Sequence, residues 1–348
     1  MAEVDLDRWA VVAPNDDSGF GRQARMFKTV VGVRRQLCIP SDRLPDLPLG
    51  SPHDQWMRPE DSEDRVAELL AGLQGIVFFE RPLWHPSLLD VSRRLGVKTV
   101  CIPNWEWFRG NGADFRQVDH FLCPTRWTVQ IVRQYGYTNA DYAVWPIDAA
   151  ELPERRIEGP ARVFLHNAGL VDVQDRKGTA DAIRAFCRVR RPDIRLIVRI
   201  QKEAELPRGD DRVQIAVGNL PSHADLYREG DCAIQPSKME GIGFMVLEPF
   251  CCGLPVITTD APPMNEWVTD PRLLVRPQWF KRKAFPTTWV RHAHLRIPRQ
   301  RDLADRIAWC ADHDLSDISR QNREIAMERY DPDRVRAEWT RHLEKIVS

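Results

Sequence analysis

Gln235–Trp267 reads Q-P-S-K-M-E-G-I-G-F-M-V-L-E-P-F-C-C-G-L-P-V-I-T-T-D-A-P-P-M-N-E-W. An apolar strand runs into Pro236, and a loop with Glu240, Gly241 and Gly243 follows. A helix opens near Phe244, carries Glu248 and stops at Gly253; Pro255 then opens another strand. Strand, glycine loop and helix in this order build an anion site, because the first helical N–H groups are unpaired and the helix dipole is positive at that end. The glycines let the backbone come close to a bulky ligand. Glu240 lies in the loop and Glu248 about two turns into the helix, so the pair can touch different parts of one extended ligand.

Working outward, apolar β-rich runs alternate with helical ones. Arg8–Ala13, Gly75–Phe79, Lys98–Ile102 and His120–Cys123 read as strands; Arg22–Val31, Pro86–Leu95 and Thr128–Tyr135 read as helices; Pro40–Pro59 reads as loop. Pro146, Pro153, Gly159 and Pro160 mark a charged linker over Ile147–Pro160. A second alternation follows: strands Arg162–His166, Ile194–Arg199, Val213–Ala216 and Cys232–Pro236, helices Thr179–Arg188 and Ala224–Glu229, and a last helix over Glu324–Val347. Two successive α/β halves predict two doubly wound domains, with ligands at the C-terminal ends of the strands. The expected division is 1–150 and 151–324, with the helix at 325–348 packing back on the first domain.

Composition narrows the function. The 348 residues, 43 % of them hydrophobic, suffice for two cores and exclude a disordered chain. A net charge of zero gives no overall pull toward nucleic acid or membrane. The eight cysteines show no C-x-x-C or Cys/His metal spacing and read as buried thiols in a reducing compartment. No apolar run approaches the ~20 residues of a membrane span. Met1–Trp9 is acidic and lacks the features of a signal peptide, so the expected location is cytoplasmic.

The quoted segment resembles the E-x7-E region of glycosyltransferase family four, whose members are retaining enzymes of the two-domain GT-B architecture. The shared features are the flanking P-S, E-G-x-G-F, L-E-P-F, C-G-L-P-V-I-T-T-D and N-E-W. The resemblance implies an α/β fold of two Rossmann-like domains facing across a cleft, and transfer of a sugar from a nucleoside diphosphate to an acceptor hydroxyl. It places Glu240 at the donor sugar, Glu248 at the ribose, and Gly241, Ile242, Gly243 and Phe244 along the sugar and diphosphate. No cofactor is implied, and with no D-x-D motif in a fitting loop no metal ion either.

Other segments extend the likeness over roughly Val11 to Glu266. Arg162–Phe186 carries Lys177-Gly178 before a helix, matching the family's phosphate-binding lysine; a cation there stabilises a departing diphosphate. Leu170 stands where the family often has a phosphate-binding Arg, leaving His166, Asn167 or Arg176 as substitutes. Arg199 falls where the family's strand usually ends in Gly, a departure that bears on nucleobase recognition. In the first half, Gly19 and Gly21 of N-D-D-S-G-F-G-R resemble the loop that admits donor phosphates and acceptor. After the strand Thr99–Ile102, Glu106 is the candidate polar group nearest the reaction centre, between Trp105 and Trp107, which could stack on sugar rings. Glu240, Lys177 and Glu106 are thus the catalytic candidates.

Arg276–Arg301 contains no Asp or Glu and interleaves Trp279, Phe280, Phe285 and Trp289 with Lys281, Arg282, Lys283 and Arg291. It reads either as a solvated loop packed through its tryptophans or as a contact for a nucleic-acid acceptor, a modified base in DNA included. Two alternative functions stand beside the transferase: a sugar-nucleotide 2-epimerase, and a catalytically silent protein that binds nucleotide sugars or nucleic acid.

Overall fold

The computed structural model describes residues 4–41, 45–80, 84–171, 174–284 and 293–348, with backbone alone over 279–284. The chain divides into two compact units, Met1–Asp148 with Tyr330–Ser348, and Ala149–Arg329.

The first unit is built on β1 (Trp9–Pro14), α1 (Gly19–Val31), β2 (Arg35–Ile39), β3 (Gln55–Trp56), α2 (Glu63–Leu70), β4 (Gly75–Phe79), α3 (Leu88–Leu95), β5 (Lys98–Ile102), β6 (His120–Cys123), α4 (Arg126–Gln134) and β7 (Ala140–Tyr142). Its parallel strands lie in the order β3-β2-β1-β4-β5-β6-β7. Every residue of β1 and β4 is buried, as central strands covered on both faces require. Ser18, Ser62 and Thr125 cap α1, α2 and α4 by accepting first-turn backbone N–H groups. The Trp9 ring lies so close to Gly75 that a Cβ there would sit 2.5 Å from it.

The second unit contains β8 (Val163–Gly169), α5 (Thr179–Arg188), β9 (Arg195–Ile200), β10 (Val213–Val217), β11 (Cys232–Gln235), α6 (Phe244–Cys252), β12 (Val256–Thr259), β13 (Leu274–Val275), β14 (Pro277–Ala284), β15 (His294–Pro298), α7 (Gln300–Asp312) and α8 (Ser316–Arg329). The order of its parallel sheet is β10-β9-β8-β11-β12-β13. Both units are therefore doubly wound, as expected, and the strand order reverses between β1 and β4 in one and between β8 and β11 in the other.

Two local readings change, and the linker gains detail. The last helical stretch is two helices: Asp331 caps α9 (Pro332–Val347), Pro332 opens it, and α8 ends at Arg329. The basic stretch after Arg276 is an antiparallel hairpin, β14 with β15, rather than a loop; Phe285, Trp289 and Arg291 fall outside the described residues. The stretch read as a linker is fastened down. Arg155 N–H donates to Cys252 O at 2.7 Å and Ala161 N–H to Cys310 O at 2.9 Å, and Arg323 donates to Ala149 O and Cys251 O at 3.0 and 2.6 Å. Among the described residues no helix is long and apolar enough to cross a membrane.

α9 packs on α1 within the first unit. The Trp339 ring meets Phe27 edge-on at 4.8 Å, and its Nε1–H donates to Val144 O at 2.8 Å. Trp339 is 1 % exposed. Trp339→Ala is expected to cost the first unit about 3–5 kcal/mol, read as an earlier urea transition; an unchanged midpoint contradicts this account of how the chain terminus is held.

Candidate functional site

The loops that follow β8 and β11 leave the second sheet where its strand order reverses, and they carry Lys177 and Glu240. Sixty-three residues apart, the two meet: Lys177 Nζ lies 2.8 Å from both carboxylate oxygens of Glu240. The side chain of Glu240 is 5 % exposed and that of Lys177 19 %. Burial pushes the Glu240 carboxyl up, but the charges of Lys177 and Arg176 outweigh it and hold the group below its ordinary value. Of the three substitutes for the missing Arg, Arg176 thus acts on this carboxylate. Gly178 makes the approach possible. It has φ +72° and a Cβ there would lie 2.3 Å from Pro236 O of the facing loop.

His166 is used up by the scaffold. Its Nδ1 lies 2.7 Å from Ile234 O and its Nε2 3.0 Å from Thr179 Oγ1. Burial pushes it below its ordinary value, so the neutral ring donates from Nδ1 and accepts at Nε2. It ties β8, β11 and the start of α5 together rather than serving as a phosphate cation. The N-terminus of α5 is also occupied by the chain itself, since Asp175 accepts from Thr179 N and Ala180 N at 2.7 and 3.1 Å. At α6 the capping residue is Gly243, with φ +88° and no side-chain cap. Gly241, Ile242 and Gly243 are buried and Phe244 half-buried. Trp267 Nε1–H holds the loop by donating to Ile242 O at 2.7 Å.

Glu248 is fully buried on α6. Its carboxylate accepts from the Tyr227 hydroxyl, and His223 Nε2 lies 2.8 Å from it. Both partners sit on the 3-10 turn His223–Tyr227. The carbonyls at the end of that turn are satisfied by three side chains: Asn167 and Arg199 donate to Leu226 O at 3.1 and 3.0 Å, and Arg155 to Tyr227 O at 2.8 Å. The departure at Arg199 thus has a structural use: it anchors the turn that holds Glu248.

In the first unit, Gly21 is required by the fold itself, because a Cβ there would lie 2.0 Å from Asp16 O. Gly19 opens α1 and faces open space. Glu106 is 3 % exposed in the 3-10 turn Trp105–Trp107 after β5. Trp105 is a core residue, 4 % exposed and edge-on to Trp127 at 5.8 Å, so it offers no face for stacking. Of the basic stretch, Arg276 pairs with Asp302 at 2.9 Å. Among the described residues no group of three or more His, Cys, Asp or Glu is placed to hold a metal ion.

His223, Tyr227, Asp175 and Lys238 were not singled out from sequence. The four-residue spacing of His223 and Tyr227 on a short helix was the available signal for two of them.

The comparisons bear on the fold and on the second unit. Residues 161–284 match the family model of group 1 glycosyl transferases. No curated protein matches in sequence. Among solved structures, the chain resembles HepE of Anabaena in complex with UDP, at 12 % identity over 97 % of this chain and 99 % of that one, TM-score 0.69. It also resembles a glycosyltransferase from Rickettsia africae (12 %, 98 % and 98 %, 0.65) and sucrose-phosphate synthase from Thermosynechococcus elongatus (13 %, 97 % and 98 %, 0.65). The chain has the GT-B fold, and its residues 161–284 form a group 1 glycosyltransferase domain.

The Lys177–Glu240 pair gives a testable pH dependence. A carboxylate held down in the folded state stabilises it in full above the unfolded pKa of ~4.3 and stops doing so as pH falls through the lowered value. Lys177→Met removes the cation at 2.8 Å and is expected to cost about 3–5 kcal/mol at pH 7. The gap from wild type should narrow as pH falls, first as the mutant carboxyl takes up a proton and then as the wild-type one does. Urea melts from pH 7 to pH 3 measure it; a gap independent of pH contradicts the pairing.

Proposed function

We propose that this glycosyltransferase acts with retention on a nucleoside diphosphate sugar, as a member of glycosyltransferase family four, through the E-x7-E pair Glu240 and Glu248. The observation that carries the reading is the juxtaposition of Lys177 with Glu240 beside the start of α6, at the reversal of strand order. HepE is bound in its crystals to UDP, to UDP with glucose and to UDP-glucose, which supports a diphosphate-linked donor here.

In this reading the donor diphosphate takes Lys177 from Glu240, and the freed carboxylate accepts hydroxyls of the sugar. The backbone of Gly241–Phe244 lines the sugar and diphosphate, and Glu248 accepts from the ribose, oriented by Tyr227 and His223. The bond from the anomeric carbon to the phosphate oxygen breaks, and its electron pair leaves with the diphosphate, whose charge Lys177 stabilises without a metal ion. The acceptor hydroxyl bonds to that carbon on the face being vacated and passes its proton to the departing phosphate. By resemblance Glu106 is the polar group nearest the reaction centre on the acceptor side, and Gly19 and Gly21 admit the donor phosphates and the acceptor. The basic, aromatic hairpin keeps nucleic acid among the acceptors to be offered. Cytoplasmic residence fits a chain whose eight cysteines are all free.

The test is a thermal-shift screen of UDP-, GDP-, ADP- and dTDP-sugars against wild type and Glu248→Ala. One nucleotide sugar should raise the wild-type melting temperature and do so clearly less in the variant; no shift in either overturns the donor site. With an acceptor in hand, proton NMR of the first product reads the anomer, and an inverted linkage overturns retention. Release of nucleoside diphosphate only when acceptor is present separates the transferase from an epimerase or a silent binder.

A further inference from the structure

Lys238, two residues before Glu240, is 8 % exposed. Its ammonium lies 3.1 Å from Asp175 Oδ2 and 2.9 Å from Asp181 Oδ2. Its backbone N–H donates to Arg176 O at 2.7 Å, and its carbonyl accepts from Arg296 N–H of β15 at 2.8 Å. Asp181 also accepts from the Gln300 side chain at the start of α7.

The two site loops are thus joined by two ion pairs of opposite sense. Lys177 of the loop after β8 reaches Glu240 of the loop after β11; Lys238 of the second loop reaches back to Asp175 of the first and to Asp181 of α5. The two pairs differ in fate under the donor reading proposed above, on which this inference rests. A diphosphate competes for Lys177 and opens the first pair. The second is harder to open: its lysine is more deeply buried than Lys177 and faces two carboxylates, one of them capping α5. We infer that Lys238 is a positioning residue for donor binding, the fixed latch that keeps the two loops in register when the Lys177–Glu240 latch opens. Without it the diphosphate has to pull the loops together as it binds, and affinity falls even in a folded protein.

The test is isothermal titration with UDP, GDP, ADP and dTDP, used as probes of the diphosphate site, at a temperature where circular dichroism shows each variant folded. Lys238→Met is expected to raise the Kd of the bound nucleotide on the order of tenfold. Because this variant leaves Asp175 and Asp181 without their cation and can unfold, the double variant Lys238→Met/Asp181→Asn is measured with it. Removing one carboxylate relieves the charge without restoring the latch, so its stability should recover while its Kd stays raised. Lys238→Arg, which restores a cation, should bring Kd back toward wild type. Wild-type Kd in a folded Lys238→Met or in the double variant overturns the inference and leaves the donor site standing, and so does a folded Lys238→Arg that binds as weakly as Lys238→Met. A wild type that binds none of the four nucleotides overturns the donor reading and this inference together.

Discussion

A carboxylate as deeply buried as Glu240 stays ionised only beside a cation, and the cation comes from a loop 63 residues away. That pairing constrains the second unit. It requires β8 and β11 to be neighbours, which the reversal of strand order provides. It requires close backbone approach, which Gly178 allows against Pro236. And it requires the strand ends to hold still, which the neutral His166 ring secures by linking β11 to the start of α5.

Glu248 answers the same problem with partners from one short turn. A tyrosine hydroxyl and an imidazole reach the carboxylate. The turn bearing both is fixed from behind by Asn167, Arg199 and Arg155, whose donors meet carbonyls that a short helix end leaves open. Arg155 belongs to the stretch Pro153–Pro160, and its backbone also meets the end of α6. The segment with linker composition is thereby part of the support under Glu248. Its prolines and charges describe solvent exposure on one side and say nothing of the carbonyls on the other.

The double alternation was legible because central parallel strands must be apolar throughout: A-V-V-A in β1 and C-A-I in β11 declare themselves. β2, R-Q-L-C-I, and β7, A-D-Y, are hard to read because their polar residues have partners that only the fold reveals. The Gln36 N–H, for example, donates to Asp54 Oδ1 at 2.9 Å. α2 carried a readable signal, Ser62 ahead of Glu63 and Asp64 with Val66, Leu69 and Leu70 on one face. The break between α8 and α9 was equally written in D-P, where the aspartate caps and the proline starts a new helix. For the site, the spacing of Glu240 and Glu248 follows from one element and can be read. Their partners lie on other elements, and pairing across strand order has no signature in local spacing.

Two residues of the loop after β8 show how one backbone demand receives different answers. Asp175 and Gly178 both have positive φ, +45° and +72°. At 178 the side of the backbone where a Cβ would go is filled by Pro236 O, so only glycine fits. At 175 a glycine would satisfy the backbone equally well and lose the function. The aspartate accepts the strain of a left-handed conformation, on the order of 1–2 kcal/mol and least for Asn and Asp. In return its carboxylate accepts two N–H groups of α5 and the ammonium of Lys238. Each is a charge-assisted bond stronger than a neutral one, so three together outweigh the backbone cost. The strain is held by the same contacts that keep the two loops in register, which is why a left-handed non-glycine residue survives at this position.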